Sequence, residues 1–392
     1  MGFELNKSYS GFRLTQKKNI DELKSLGLLF EHEVTKAELM VLENDDDNKV
    51  FSATFRTPPE DDTGIAHILE HSVLCGSKNF PVKEPFVELM KGSLQTFLNA
   101  MTFPDKTMYP VASRNQKDFF NLMHVYLDAV FYPNITEETF KQEGWHYELN
   151  SPKDKVVYKG VVLNEMKGEF SNPESCIDRQ LAHSLFPSTA YGFESGGDPK
   201  NIPDLTYQDF TEFHRKHYHP SNSRLFLYGD GDTQSYLDFL QEKYLHDFAH
   251  MEVNTSIVHQ RSFRKPKRKP MSYPVSSDES LEKKTYVLVG YKLDKAINHE
   301  HCLGFSILSH LLLGSSASPL RKALITSELG SEVMGGGFDD NRADTMFAVG
   351  LKGTELEHEN EILALIDSTL RELAENGIEK DMILSAVNSI DF

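Results

Sequence analysis

Two histidines bracket a glutamate in His67-Ile-Leu-Glu70-His71. Positions i, i+3 and i+4 share one face of an α-helix, so a single helical segment can aim two imidazoles and a carboxylate at the same point. The flanking residues predict that helix. Phe51, Ala53 and Phe55 alternate with polar neighbours in a strand-like run that stops at Thr57-Pro58-Pro59. Asp62 and Thr63 then offer side-chain oxygens for an N-cap. Ile65, Leu69 and Val73 supply an apolar stripe, and Gly76 a C-terminal stop.

Two neutral imidazoles are good ligands for zinc, and a catalytic zinc site needs a third protein ligand and one open position. H-x-x-E-H is the inverted form of H-E-x-x-H and is a metallopeptidase signature. The third ligand is expected at a distance, and the best candidate stretch is Tyr158-Lys-Gly-Val-Val-Leu-Asn-Glu165-Met-Lys-Gly. An apolar run there leads into a helix-forming segment carrying Glu165, with Glu169 one turn later. Spacing alone does not choose between them.

The motif, followed at this distance by Asn164-Glu165-Met-Lys-Gly, resembles the pitrilysin (inverted zincin) family of metallopeptidases, and most closely its presequence-protease and falcilysin-like branch. Gly64–Ser77, Gly92–Thr107, Gln142-Glu-Gly-Trp145 and Ser315–Gly330 carry the resemblance further, along essentially the whole chain. It implies one Zn2+ bound by His67, His71 and Glu165, thereby selecting Glu165 over Glu169, with Glu70 as general base toward a zinc-bound water. It also implies an edge strand that pairs with the substrate backbone. The β-capable stretch Gly92–Thr102 matches that strand and places Asn99 and Ala100 as substrate-binding residues. The implied activity is zinc-dependent endopeptidase action on short unstructured, presequence-like peptides; a non-catalytic peptide-binding member of the same family is the alternative.

A net charge of −18 disfavours nucleic acid and is compatible with basic peptide substrates. No apolar run is long enough to span a membrane, and the amino-terminal residues show neither a signal core nor an Arg-rich transit pattern. Cys75, Cys176 and Cys302 are odd in number and far apart, which argues for a reducing compartment rather than a disulfide framework. Cytoplasmic placement of a bacterial type is expected, with an organellar matrix as the alternative. Cys75, one turn past His71, reads as a small buried filler, with an oxidation-sensitive thiol as the alternative.

The fold class expected is α+β, with two similar pitrilysin-type α/β sandwich domains, antiparallel-rich sheets covered by helices. Residues 1–260 form the expected catalytic zinc-binding domain. A basic, proline-punctuated linker spans 261–284, and 285–392 read as a second, metal-free copy. Helices are predicted over Asn115–Phe131, His301–Leu313, Leu320–Ser327 and Asn360–Asn376, and strands over Thr285–Tyr291 and Thr345–Leu351. His214, His217 and His219 mix helix faces and read as cationic groups at a helix end. His299 and His301 read as non-ligands, and Gly229-Asp-Gly231 and Gly335–Gly337 as turns. A last amphipathic stretch with Ile383, Ala386, Val387 and Ile390 runs to Asp391-Phe392 without a cap, so a truncated chain is expected. The family resemblance implies a C-terminal half of the same enzyme as partner, supplying an Arg and a Tyr to the substrate carbonyl.

Overall fold

The computed structural model describes residues 2–83, 85–149 and 151–391; Phe392, part of the reading of the chain's end, lies outside the described residues. It divides into two compact units, residues 2–167 with Glu194–Ser256, and Gly168–Phe193 with residues 257–391. Both combine helices with antiparallel-rich sheets, in agreement with the α+β expectation.

The first unit is built on a nine-stranded sheet. Its order runs Ser8–Tyr9, Phe12–Ile20, Ser25–His32, Glu38–Glu43, Ser223–Gly229, Lys49–Arg56, Lys106–Ser113 and Gln95–Leu98, with Met101–Thr102 also on Lys106–Ser113. Ser223–Gly229 inserts parallel to Glu38–Glu43 and antiparallel to Lys49–Arg56; every other pairing is antiparallel. The strand expected around Phe51, Ala53 and Phe55 is present, and all three side chains are fully buried.

The helix Gln116–Phe131 packs on Lys49–Arg56 and Lys106–Ser113. Asn115 starts it, its side-chain oxygen accepting from the Asp118 N–H at 3.0 Å. Phe119, Met123, Tyr126, Leu127 and Val130 recur at helical spacing and are buried, each contributing about 1.5–3 kcal/mol of apolar transfer. Across the stretch read as Gly92–Thr102, Gly92 instead closes a helix, Pro85–Gly92. The strand begins at Gln95, and at Asn99-Ala100 it breaks before Met101–Thr102 resumes.

In the second unit, Thr285–Lys295, Asp344–Thr354 and Glu332–Asp339 form an antiparallel sheet with Asp344–Thr354 at the centre. Val287, Leu312, Leu320, Leu324, Val349 and Ile362 are among its core residues, drawn from the sheet and from helices His299–Leu313, Pro319–Thr326 and Glu359–Asn376. Leu185, Phe186 and Tyr191 pack with Ile257, Phe263 and Met346, which groups Gly168–Phe193 with this unit. Residues 261–284 form no helix or strand, but Arg268 makes a two-pronged pair with Glu359 at 2.6 and 2.7 Å. The triple glycine Gly335–Gly337 is not the expected turn. It lies inside the strand Glu332–Asp339, at a bulge between Met334 and Gly337, where three glycines accept consecutive positive φ angles.

Candidate metal centre

The histidine motif falls on the helix Ile65–Val73, as its flanks predict. Its buried residues are Ala66, Ile68, Leu69, Glu70, Ser72 and Val73, and it packs on the helices Glu137–Glu143 and Tyr207–His217 and the strand Met101–Thr102. Its start differs from the expected Asp62/Thr63 cap. Gly64 is the N-cap, in the left-handed region at φ 67°, and no side chain caps the helix. The expected oxygens are engaged elsewhere. Asp62 Oδ1 accepts from the Glu194 N–H at 2.8 Å, and Thr63 bonds Asp61. Glycine is required at 64 because a Cβ there would stand 2.7 Å from the Gly196 carbonyl oxygen and 2.7 Å from Gly197 Cα.

That close approach fixes His67. Its Nδ1 lies 3.1 Å from the Gly196 carbonyl oxygen. A carbonyl only accepts, so Nδ1 carries the proton and Nε2 presents a lone pair. His71 is set the same way by a different group, its Nδ1 lying 3.3 Å from Glu143 Oε2. Both Nε2 atoms stand 3.7 Å from one oxygen, Oε2 of Glu165. Glu165 arrives on the helix Val161–Glu169, with its side chain half exposed. Glu169 instead bonds Ser175 at 3.3 Å and Arg179 at 3.4 Å.

One ligand atom from each of His67, His71 and Glu165 therefore lies within 4.8 Å of the others, the one such group of histidine, cysteine or acidic side chains found among the described residues. With both rings neutral and Nδ1 protonated, three electron-pair donors converge there. Two imidazoles and one carboxylate match a catalytic zinc donor set in type and number, and leave a fourth position open. Burial works against a charge on His71, but Glu143, Glu70 and Glu165 outweigh it and raise its pKa above the ordinary value. Glu70 is buried on the same helix and acts electrostatically on His71, Tyr109 and Tyr126.

The expected substrate strand lies at the sheet's edge, Gln95–Leu98 pairing, among the described residues, only with Lys106–Ser113. Just past it the Asn99 N–H donates to the Pro110 carbonyl at 3.2 Å, and Tyr126 Oη donates to the Asn99 carbonyl at 3.2 Å. The Ala100 N–H is held by Asn99 Oδ1 at 3.0 Å.

The histidines near the other helix end are not cations. His214 Nε2 donates to the Val130 carbonyl at 2.9 Å, and burial pushes the pKa values of His214 and His217 down to about 4. His299 opens a helix and His301 pairs with Asp294 at 2.5 Å, away from any metal-type group. Two contacts had no reading in the sequence, Gly196 and Glu143. Glu143 sits within Gln142-Glu-Gly-Trp145, which carries the family resemblance without pointing to a role; nothing local marks the Gly196 carbonyl.

A family profile described as insulinase (peptidase family M16) matches residues 55–170, and one described as peptidase M16 inactive domain matches residues 204–390. Protein HypA of Clostridium perfringens is 50% identical over 394 residues, covering 100% of this chain and 40% of the relative. Presequence protease 1 (chloroplastic/mitochondrial) of Arabidopsis thaliana is 50% identical over 387 residues, covering 97% of this chain and 36% of the relative. The mitochondrial presequence protease of Xenopus laevis is 39% identical, covering 98% of this chain and 38% of the relative. The chain thus spans well under half the length of these relatives. Crystal structures of pitrilysin (TM-score 0.65, 16% identity, 95% of this chain and 39% of that one) and of a Helicobacter pylori protease (TM-score 0.66, 17% identity, 91% and 83%) share the fold. With an insulinase-type block holding the histidine pair and Glu165, an inactive-domain block behind it, and presequence proteases among its relatives, the chain belongs to peptidase family M16.

Proposed function

We propose that this chain is the zinc-binding half of an endopeptidase that degrades short unstructured, presequence-like peptides. The observation that carries the reading is the meeting of His67 Nε2, His71 Nε2 and Glu165 Oε2, both nitrogens 3.7 Å from the same oxygen. These three would hold one Zn2+. When bound, the metal polarises the scissile carbonyl and acidifies water. Glu70, one turn from His67 on the same face, takes the proton of the attacking water and passes it to the leaving amine. The peptide adds to the free edge of Gln95–Leu98, with Asn99 and Ala100 at the end of that strand. Such backbone pairing binds with little sequence preference, and a peptide carbonyl would replace Asn99 Oδ1 on the Ala100 N–H.

The share of its relatives that this chain covers, 36–40%, supports a C-terminal half as partner. That half would supply donors to the oxyanion, whose loss typically costs ~10²–10³ in rate. No helix among the described residues is long and apolar enough to cross a membrane, and no disulfide joins Cys75, Cys176 and Cys302. Both fit a cytoplasmic or organellar-matrix setting.

The test is mass-spectrometric cleavage of an unstructured basic peptide after chelation, with and without zinc and with and without the second half. Glu70→Gln should retain one zinc and lose turnover by ~10²–10⁴. Cleavage by that variant at the parental rate refutes the role of Glu70. Absence of zinc-dependent cleavage in every arm favours the non-catalytic, peptide-binding member instead.

A further inference from the structure

We infer that Glu143 is a positioning residue for the metal centre, holding His71 in the tautomer and orientation that present Nε2 to zinc; this rests on the zinc reading above. Glu143 is the last residue of the helix Glu137–Glu143, which Thr136 caps and which packs on the motif helix. It lies 72 positions after His71 and is only 6% exposed. A buried carboxylate is costly unless its oxygens are satisfied. Oε1 accepts from Gln142 Nε2 at 2.8 Å and lies 3.7 Å from Cys75 Sγ, while Oε2 takes the His71 Nδ1–H.

Among the described residues, no lysine or arginine pairs with Glu143; its ion pair is with His71. Glu165 Oε2 stands 3.7 Å from the Nε2 of His71, so the imidazole lies between two carboxylates, one on each ring nitrogen. The two histidines are also unequal. His67 is held by a neutral carbonyl, whereas His71 is held by a carboxylate. A carboxylate behind a metal-bound imidazole fixes its tautomer and strengthens it as a ligand, and removing such a partner typically weakens metal binding ~10–100-fold.

The experiment measures zinc affinity of the whole chain by competition with a chromophoric chelator, for the parent, Glu143→Ala and Glu143→Gln. Urea unfolding of each metal-free protein is followed alongside. Glu143→Ala should bind zinc about 10–100-fold more weakly. Glu143→Gln keeps an oxygen that accepts from Nδ1–H and should recover part of that loss. If the alanine variant does not fold, Glu143→Leu, which fills a similar volume without an acceptor, is read in its place, and parental zinc affinity in that folded variant overturns the inference. Parental zinc binding with Glu143→Ala within about twofold refutes the role of Glu143 and leaves the zinc site standing. Equal losses in both variants also overturn it, because the retained acceptor would then contribute nothing. No zinc binding by the parent refutes the metal reading itself.

Discussion

Gly64→Ala measures how tightly the start of the motif helix is pressed against the loop Glu194–Gly197. A Cβ at 64 would stand 2.7 Å from both the Gly196 carbonyl oxygen and Gly197 Cα, where ordinary contact begins near 3.4 Å. The two backbones must therefore part by at least 3.0 − 2.7 = 0.3 Å, and by 3.4 − 2.7 = 0.7 Å to reach ordinary contact. Two contributions add. A non-glycine residue in the left-handed region costs roughly 1–2 kcal/mol, and forced overpacking roughly 1–3 kcal/mol. The smaller freedom of alanine in the unfolded chain returns about 0.4–1 kcal/mol. The net expectation is a loss of about 1–5 kcal/mol, or roughly 2–20 °C in Tm for a unit of this size. Gly336 is the control. It has the same φ of 67°, yet nothing lies within 4 Å of its ideal Cβ, so Gly336→Ala bears only the conformational cost. Urea and thermal unfolding of both variants give the comparison. Zinc affinity should fall in Gly64→Ala as well, because the carbonyl that moves is the one holding His67 at 3.1 Å. If Gly64→Ala proves no more destabilising than Gly336→Ala, the close approach does not constrain the site.

Glu165→Gln should lose most of its zinc, measured by metal analysis after dialysis, whereas Glu169→Gln should retain it, since Glu169 bonds Ser175 and Arg179 instead; the reverse pattern would move the third ligand. The buried histidines make stability depend on pH in a defined direction. Burial pushes the pKa values of His214 and His217 from 6.5 down to about 4. Above the unfolded value both states leave these rings neutral, so their contribution is constant. Between about 6.5 and about 4 the unfolded chain binds protons that the folded chain refuses, and stability falls as pH drops. The urea midpoint should therefore fall between neutral and mildly acidic buffer, and fall less in His217→Gln. An equal fall in both proteins would refute the assignment.

How much of this was legible in the sequence depends on how local each feature is. The motif helix, the helix Gln116–Phe131 and the strand around Phe51 are set by short-range periodicity, and they appear where expected. Glu165 and Glu169 are four apart on one helix, so no local pattern separates them; the family resemblance did, and the contacts show why they differ. The His214 region misled because cationic capping and burial as neutral rings share one local sequence, and only the Val130 carbonyl against His214 distinguishes them. Gly335–Gly337 misled because glycine clusters mark turns and strand bulges alike. The insertion of Ser223–Gly229 between Glu38–Glu43 and Lys49–Arg56 has no local signature either, since its partners lie far earlier in the chain.

Metal binding and folding are linked in this chain through the way the site is assembled. The motif peptide alone contributes two imidazoles; Glu165, Glu143 and the Gly196 carbonyl come from three other segments, joined only once the first unit has folded. A site assembled this way does not exist in the unfolded chain, so its binding free energy adds to folding stability. At a free zinc concentration 100 times Kd, that is about 2.7 kcal/mol. The gain belongs to one unit, because among the described residues the second unit holds no comparable group. Zinc should thus raise the protection of amide hydrogens in strands such as Lys49–Arg56 and leave Asp344–Thr354 unchanged in hydrogen exchange. Glu165→Gln should abolish that selective protection, whereas Glu70→Gln should keep it if Glu70 is the base toward water, as proposed, and not a ligand. Equal protection of both sheets by zinc would mean that the ion binds somewhere other than the histidine pair.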